Sequence, residues 1–81
     1  FVNAYAEVGG TGHPAESVIR AEKDWMRGVF VALAGDASLG AELHLLYEGA
    51  MVAHTAGGRE DAVPTARAVA ARLIAARAAA V

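Results

Sequence analysis

The chain has 81 residues and no cysteine, so it forms one domain at most, of a size at which a single core is marginal without a disulfide, a metal or a partner chain. Nine acids against seven bases give a net charge of −2 and a pI near 5.8, which excludes these residues as a nucleic-acid surface, since phosphate neutralisation requires clustered Lys and Arg. The hydrophobic fraction of 56% is largely alanine, and no apolar run approaches the ~20 residues of a membrane span; the expected location is the cytoplasm, where thiols stay reduced and disulfides are not used.

Punctuation by glycine, proline and helix-capping residues divides the chain into four helical segments. The first covers residues 1 to about 8, FVNAYAEV, and ends at Gly9 and Gly10, which suit a left-handed C-cap. It opens without Met or a helix-start signal, as expected of a piece of a longer helix. It also lacks the positive stretch and cleavage site of a signal peptide.

The second segment starts at Pro14, a residue suited to the first helical position, with Glu16 in the first turn, and runs to about Ala34. Its apolar arc holds Val18, Ile19, Trp25, Met26, Val29, Phe30 and Leu33, and its polar arc Arg20, Lys23, Asp24 and Arg27. Glu22 falls in the middle of the apolar arc. A carboxylate there lines a cavity, pairs with an arginine of another segment, or marks a solvent edge.

Gly35, Asp36 and Ser38 form the next break, with Ser38 expected as N-cap. The helix that follows, residues 39 to 56, carries two apolar stripes and a narrow polar wedge between them. Leu39, Leu43, Leu46, Ala50 and Ala53 make a stripe that reads as core. Ala41, Leu45, Gly49, Val52 and Ala56 make a second, of mostly small residues, that reads as a seam for close helix contact. A helix apolar on two sides needs covering on both, and the small stripe meets either a second copy of the chain or the last helix of the same one. Gly57 and Gly58 end the segment. The last helix begins near Asp61, tolerates Pro64 in its first turn and runs to the terminus, presenting Val63, Ala66, Val69, Ala70, Leu73 and Ile74. Glu60 and Asp61 at its start and Arg67, Arg72 and Arg77 after them complement the helix dipole. With no alternating run of β type, the expected fold is all-α, an antiparallel helical bundle of about four helices.

Residues that carry chemistry are few. Asn3 and Glu22 are the polar candidates for a ligand site, and Trp25, Met26, Tyr47 and Met51 the apolar wall, although aromatic and Met side chains at helical spacing usually serve as core. Tyr5 and Glu7 share the first segment with Asn3. His44 and Glu48 lie four apart, but two ligands do not make a metal site, and His44 in the polar wedge is expected at the surface. His54 falls on the core side of the same helix, and His13 is suited to a cap. No metal or cofactor is expected. Ser17 and Thr55 have no evident base, and the chain lacks a Gly-x-Ser-x-Gly elbow, a Cys nucleophile and a dinucleotide fingerprint; its GGTG lacks the Lys and the strand of a phosphate loop. Catalysis is not expected.

The order of segments resembles a family. The run FVNAYAEVGGTGHPAESVIRAEKDWMRGVF, then LGAELHLLYEGAMVAHTAG, then an Ala/Arg-rich helix, is similar to the C-terminal part of TetR-type transcriptional regulators over essentially all 81 residues. The resemblance lies in the N-A-x-x-E segment from Asn3, the long helix with Lys23 near its middle, and the L-x-x-L-Y-E-G-A motif from Leu43 to Ala50. It implies a homodimer in which the last two helices of each chain pack as a four-helix interface, here Ala41, Leu45, Gly49, Val52, Ala56, Ala66, Val69 and Leu73. It implies a pocket for a small-molecule inducer, and operator DNA read only through an N-terminal helix-turn-helix that is not among these residues. The other reading is a helical homodimerisation or scaffold module without a ligand pocket.

Overall fold

A computed structural model describes residues 12–80. Among them the chain is all-helical: α1 spans Ala15–Ala34, α2 Ala37–Thr55 and α3 Ala62–Ala79. The expected fourth helix, over residues 1–8, lies outside the described residues.

Each helix begins and ends for a local reason. Pro14 occupies the N-cap position of α1, one residue earlier than the spacing predicts and within the ordinary scatter of helix ends. His13 caps as expected, its Nδ1 accepting from the Ala15 N–H at 3.0 Å. Gly35 ends α1 in the left-handed region, φ 68°, and its N–H donates to Val31 O. The next residue can then start a new helix, and it does. Asp36, in extended backbone, accepts the Leu39 N–H on its Oδ1 at 2.8 Å. Asp36 therefore caps α2, and Ser38 lies inside the first turn. At the far end Gly58 takes a positive φ of 63°, and the Arg59 N–H reaches back to Ala53 O at 2.9 Å, satisfying a carbonyl of the last turn. Asp61 stands at the N-cap of α3 without capping it by its side chain. Its carboxylate is taken by Arg59 Nε at 2.6 Å, a hydrogen bond that holds Asp61 below the usual carboxylate range and Arg59 above its own.

The helices form a single antiparallel layer with α2 in the middle. Along the first seam Val31 lies against Gly40, Lys23 against Glu48, and Ile19 near Val52, pairs that step in opposite directions along the two helices. Along the second, Arg77 reaches Asp36 and Glu42 while Ala66 lies near Leu46 and Ala50. α1 and α3 flank α2 and pack mainly on it, not on each other. The molecule is flattened, 44 × 28 × 15 Å, with a radius of gyration of 14.4 Å where a compact chain of this length has about 12 Å. Its core is correspondingly thin: among the described residues the buried apolar side chains are Ile19, Leu39 and Ala62, and no large side chain is fully enclosed.

α1 buries a narrower and differently placed face than its sequence suggests. Ile19, Lys23, Met26 and Phe30 turn toward α2, whereas Val18, Trp25 and Leu33 are exposed, Trp25 to 65% and Leu33 to 82%. Among the described residues α1 has one principal helix neighbour, so the part of its arc aimed at α2 is the part covered. No described helix is long and apolar enough to cross a membrane.

Two positions test the seams. A Cβ on Gly40 would lie 2.6 Å from the Val31 backbone nitrogen, so Gly40→Ala is expected to lower stability in urea unfolding by about 1–3 kcal/mol through overpacking. Gly28 is also helical, but nothing stands within 4 Å of the place a methyl group would take, and the sign reverses: Gly28→Ala should raise stability by about 0.5–1 kcal/mol.

Candidate functional site

Because the layer is one helix deep, it presents two broad faces, and α2 divides its residues between them by helical spacing. Leu45, Gly49, Val52 and Ala56 share one face, where Leu45 is 72% exposed. Leu43, Tyr47 and Met51 share the other. Between them, one flank of α2 (Leu39, Leu46, Ala50, Ala53) meets α3 and the opposite flank (Gly40, His44, Glu48) meets α1.

The α1 flank corrects the expectation for the polar wedge. His44 is not at the surface but only 8% exposed, wedged beside Phe30 with ring centroids 5.7 Å apart. Glu48 accepts Lys23 Nζ on both carboxylate oxygens, at 2.9 and 2.8 Å, across the seam. His44 Nε2 lies 3.2 Å from the same carboxylate, yet off the direction of a hydrogen bond, and has no such partner among the described residues. Lys23, expected on the solvated arc, buries its aliphatic stem in the seam while its ammonium meets the carboxylate, as long cationic side chains do. The sequence does contain a signal for this pair. In an antiparallel hairpin residues equidistant from the turn face each other, and Lys23 and Glu48 are equally far from the Gly35–Asp36 break. A groove of about 450 Å³ lies over the pair, bounded by Ile19 and Val52. His54, expected on the core side, is exposed instead, because at eleven residues from Leu43 it falls on the open face between the two flanks of α2.

The Tyr47 face is concave. Phe30 of α1, Tyr47 and Met51 of α2, and Val63, Arg67 and Ile74 of α3 line a trough of about 400 Å³. Phe30 and Tyr47 stand 5.6 Å apart and tilted by 44°, an attractive aromatic arrangement that builds one wall. Of the residues expected at a ligand site, Tyr47 and Met51 line this trough. Met26 is partly covered, Glu22 and Trp25 lie on α1 outside its lining, and Asn3 is outside the described residues. Arg67 and Phe30, which the sequence does not single out for this role, supply a charge and an aromatic wall.

The opposite face carries the small stripe. Gly49, Val52 and Ala56 are exposed there, and Ala41 is partly so. Nothing lies within 4 Å of a Cβ built on Gly49. α3 does not cover this stripe but packs on the neighbouring flank, with Ala66, Val69 and Leu73 partly covered. Of the alternatives left by the sequence, contact between the stripe and the last helix of the same chain is therefore limited to the shallow groove where Leu45 and Gly49 border Ala62 and Thr65. Among the described residues no three His, Asp or Glu side chains gather as a metal site.

The seam pair makes its own prediction. With side chains only 27% and 20% exposed, removing one partner strands the other. Glu48→Ala should cost about 1–3 kcal/mol in urea unfolding, while Lys23→Met with Glu48→Leu in one chain should recover most of that loss. A double variant as unstable as the single one would show that packing, not the stranded charge, sets the cost.

Comparisons of the chain with protein-family models, with curated proteins and with solved structures give no match in any of the three.

Proposed function

We propose that these residues form the dimerisation and small-molecule-sensing part of a TetR-type one-component transcriptional regulator. The observation that carries the proposal is the division of labour across α2: a small-residue stripe open on one face, an aromatic-walled apolar trough on the other. In the dimer the Leu45 faces of two copies meet. Ala41, Leu45, Gly49, Val52 and Ala56 of α2, with Val69 at the α3 edge, form the contact, and Ala66 and Leu73 support it from the second seam.

The area supports a partner of this size. The chain exposes 5469 Å², roughly 900 Å² more than the ~4,600 Å² expected of a compact protein of its mass. A standard interface buries about 800 Å² on each partner. An inducer seated in the trough would touch all three helices and favour one arrangement of α1 on the α2–α3 pair over another. That shift changes the separation of the DNA-reading heads on two half-sites. Those heads belong to a helix-turn-helix outside these residues. The second reading, a homodimerisation module without a pocket, draws on the openness of the trough, which neither α1 nor α3 closes over.

Sedimentation equilibrium of the chain and of Gly49→Arg tests the proposal. The parent is expected to be a dimer, and the variant a monomer that keeps its helical circular dichroism. A parent that is monomeric and indifferent to Gly49→Arg removes the proposal. Trp25, the chain's sole tryptophan, reports which face is used. In a dimer joined through the Leu45 faces its emission stays accessible to iodide at all protein concentrations, whereas shielding on dimerisation would place the interface on the α1 side.

A further inference from the structure

We propose that the trough between α1 and α3 binds an amphipathic carboxylate, its apolar chain laid over Phe30, Tyr47, Met51 and Ile74 and its head group held by Arg67. The inference rests on the sensing half of the reading above and gives that half a ligand class.

Size and polarity fix the body of the ligand. About 400 Å³ falls within the range of small-molecule sites, and the lining is apolar almost throughout, with Arg67 at its margin as the charged residue. A polar molecule would forfeit its hydration without compensation. An alkyl or aryl chain releases water from both surfaces.

Charge fixes the head group. Arg67 is the charged residue of the lining, and among the described residues it has no hydrogen bond or ion pair. The pairs Arg20–Glu16, Arg27–Asp24, Arg59–Asp61 and Arg77–Asp36 occupy other arginines, and Arg72, also without a partner among the described residues, lines no part of the trough. No acid among the described residues lines it either. Glu22 sits eight residues before Phe30 on α1, about 12 Å along the helix, and Glu48 is neutralised by Lys23 in the seam. A single guanidinium beside an apolar floor matches a planar monoanion, which it holds by two parallel hydrogen bonds. A phosphate monoester, with nearly twice the charge, would need a second cation that the trough does not offer.

Decanoate, used below its micellar concentration, is the probe, with 1-decanol as its uncharged counterpart. Titrated into the ¹⁵N-labelled chain, decanoate is expected to shift the amides of Tyr47, Met51 and Val63 to Ala70. Arg67→Gln should weaken decanoate about five- to tenfold, the scale of a partly exposed charge-assisted pair, and leave decanol unchanged; Arg72→Gln should change neither. Equal affinity for both probes, indifference to Arg67→Gln, or shifts confined to the Leu45 face would each overturn the assignment. Sedimentation of the same samples separates it from the dimer proposal. A dimer that binds no decanoate overturns the carboxylate site alone, and a monomer that binds it in the trough upholds the site while removing the dimer.

Discussion

Everything in this fold depends on α2 being shared. One helix serves as the packing surface for both its neighbours, so each seam uses one flank of α2 and neither neighbour can cover the faces between. Among the described residues the well-buried apolar side chains are Ile19, Leu39 and Ala62. Close approach at Gly40, the Lys23–Glu48 pair and the Arg77 bridge to Asp36 align the helices and leave the faces between the seams open.

The two faces are chemically unlike, and that difference organises the functional reading. Small side chains on the Leu45 side permit two backbones to approach, which favours a protein partner. On the Tyr47 side, aromatic rings and Met51 stand around a hollow, which favours a smaller guest. Phe30 links the trough to the α1 seam, because its ring contacts both Tyr47 in the trough and His44 beside the ion pair. A guest that displaces Phe30 therefore acts on the packing of α1 against α2.

Much of the fold is legible in the sequence, and the gaps have definite causes. Helical periodicity and the glycine breaks locate α1, α2 and α3 to within a residue or two. Ser38 and Asp36 are both good caps two positions apart, and the choice is decided by Gly35, whose left-handed turn delivers Asp36 directly into the capping geometry. Spacing alone separates the two stripes of α2, but the polar wedge reads as surface because His44 and Glu48 are polar; the partner of Glu48, Lys23, lies 25 residues away and enters only once the hairpin is built. For α1 the seven-residue apolar arc is wider than the single contact an edge helix makes. Periodicity gives the arc, while topology selects the covered part, so Trp25 and Glu22 fall outside the trough and Arg67 inside it.

The bridge from Arg77 to Asp36 spans 41 residues, yet it too joins helices consecutive in the chain, as do the ties Lys23–Glu48 and Arg77–Glu42. Such a topology has low contact order, and helical hairpins of this kind form on the microsecond to millisecond scale. The α1–α2 and α2–α3 hairpins can assemble independently, each closing a short loop. Asp36 Oδ1 holds the start of α2 while Oδ2 receives Arg77 from the last turn of α3, so one carboxylate completes the first turn of the central helix and registers the arrival of the final one. The bridge forms when the α2–α3 hairpin closes, whether that precedes or follows the docking of α1.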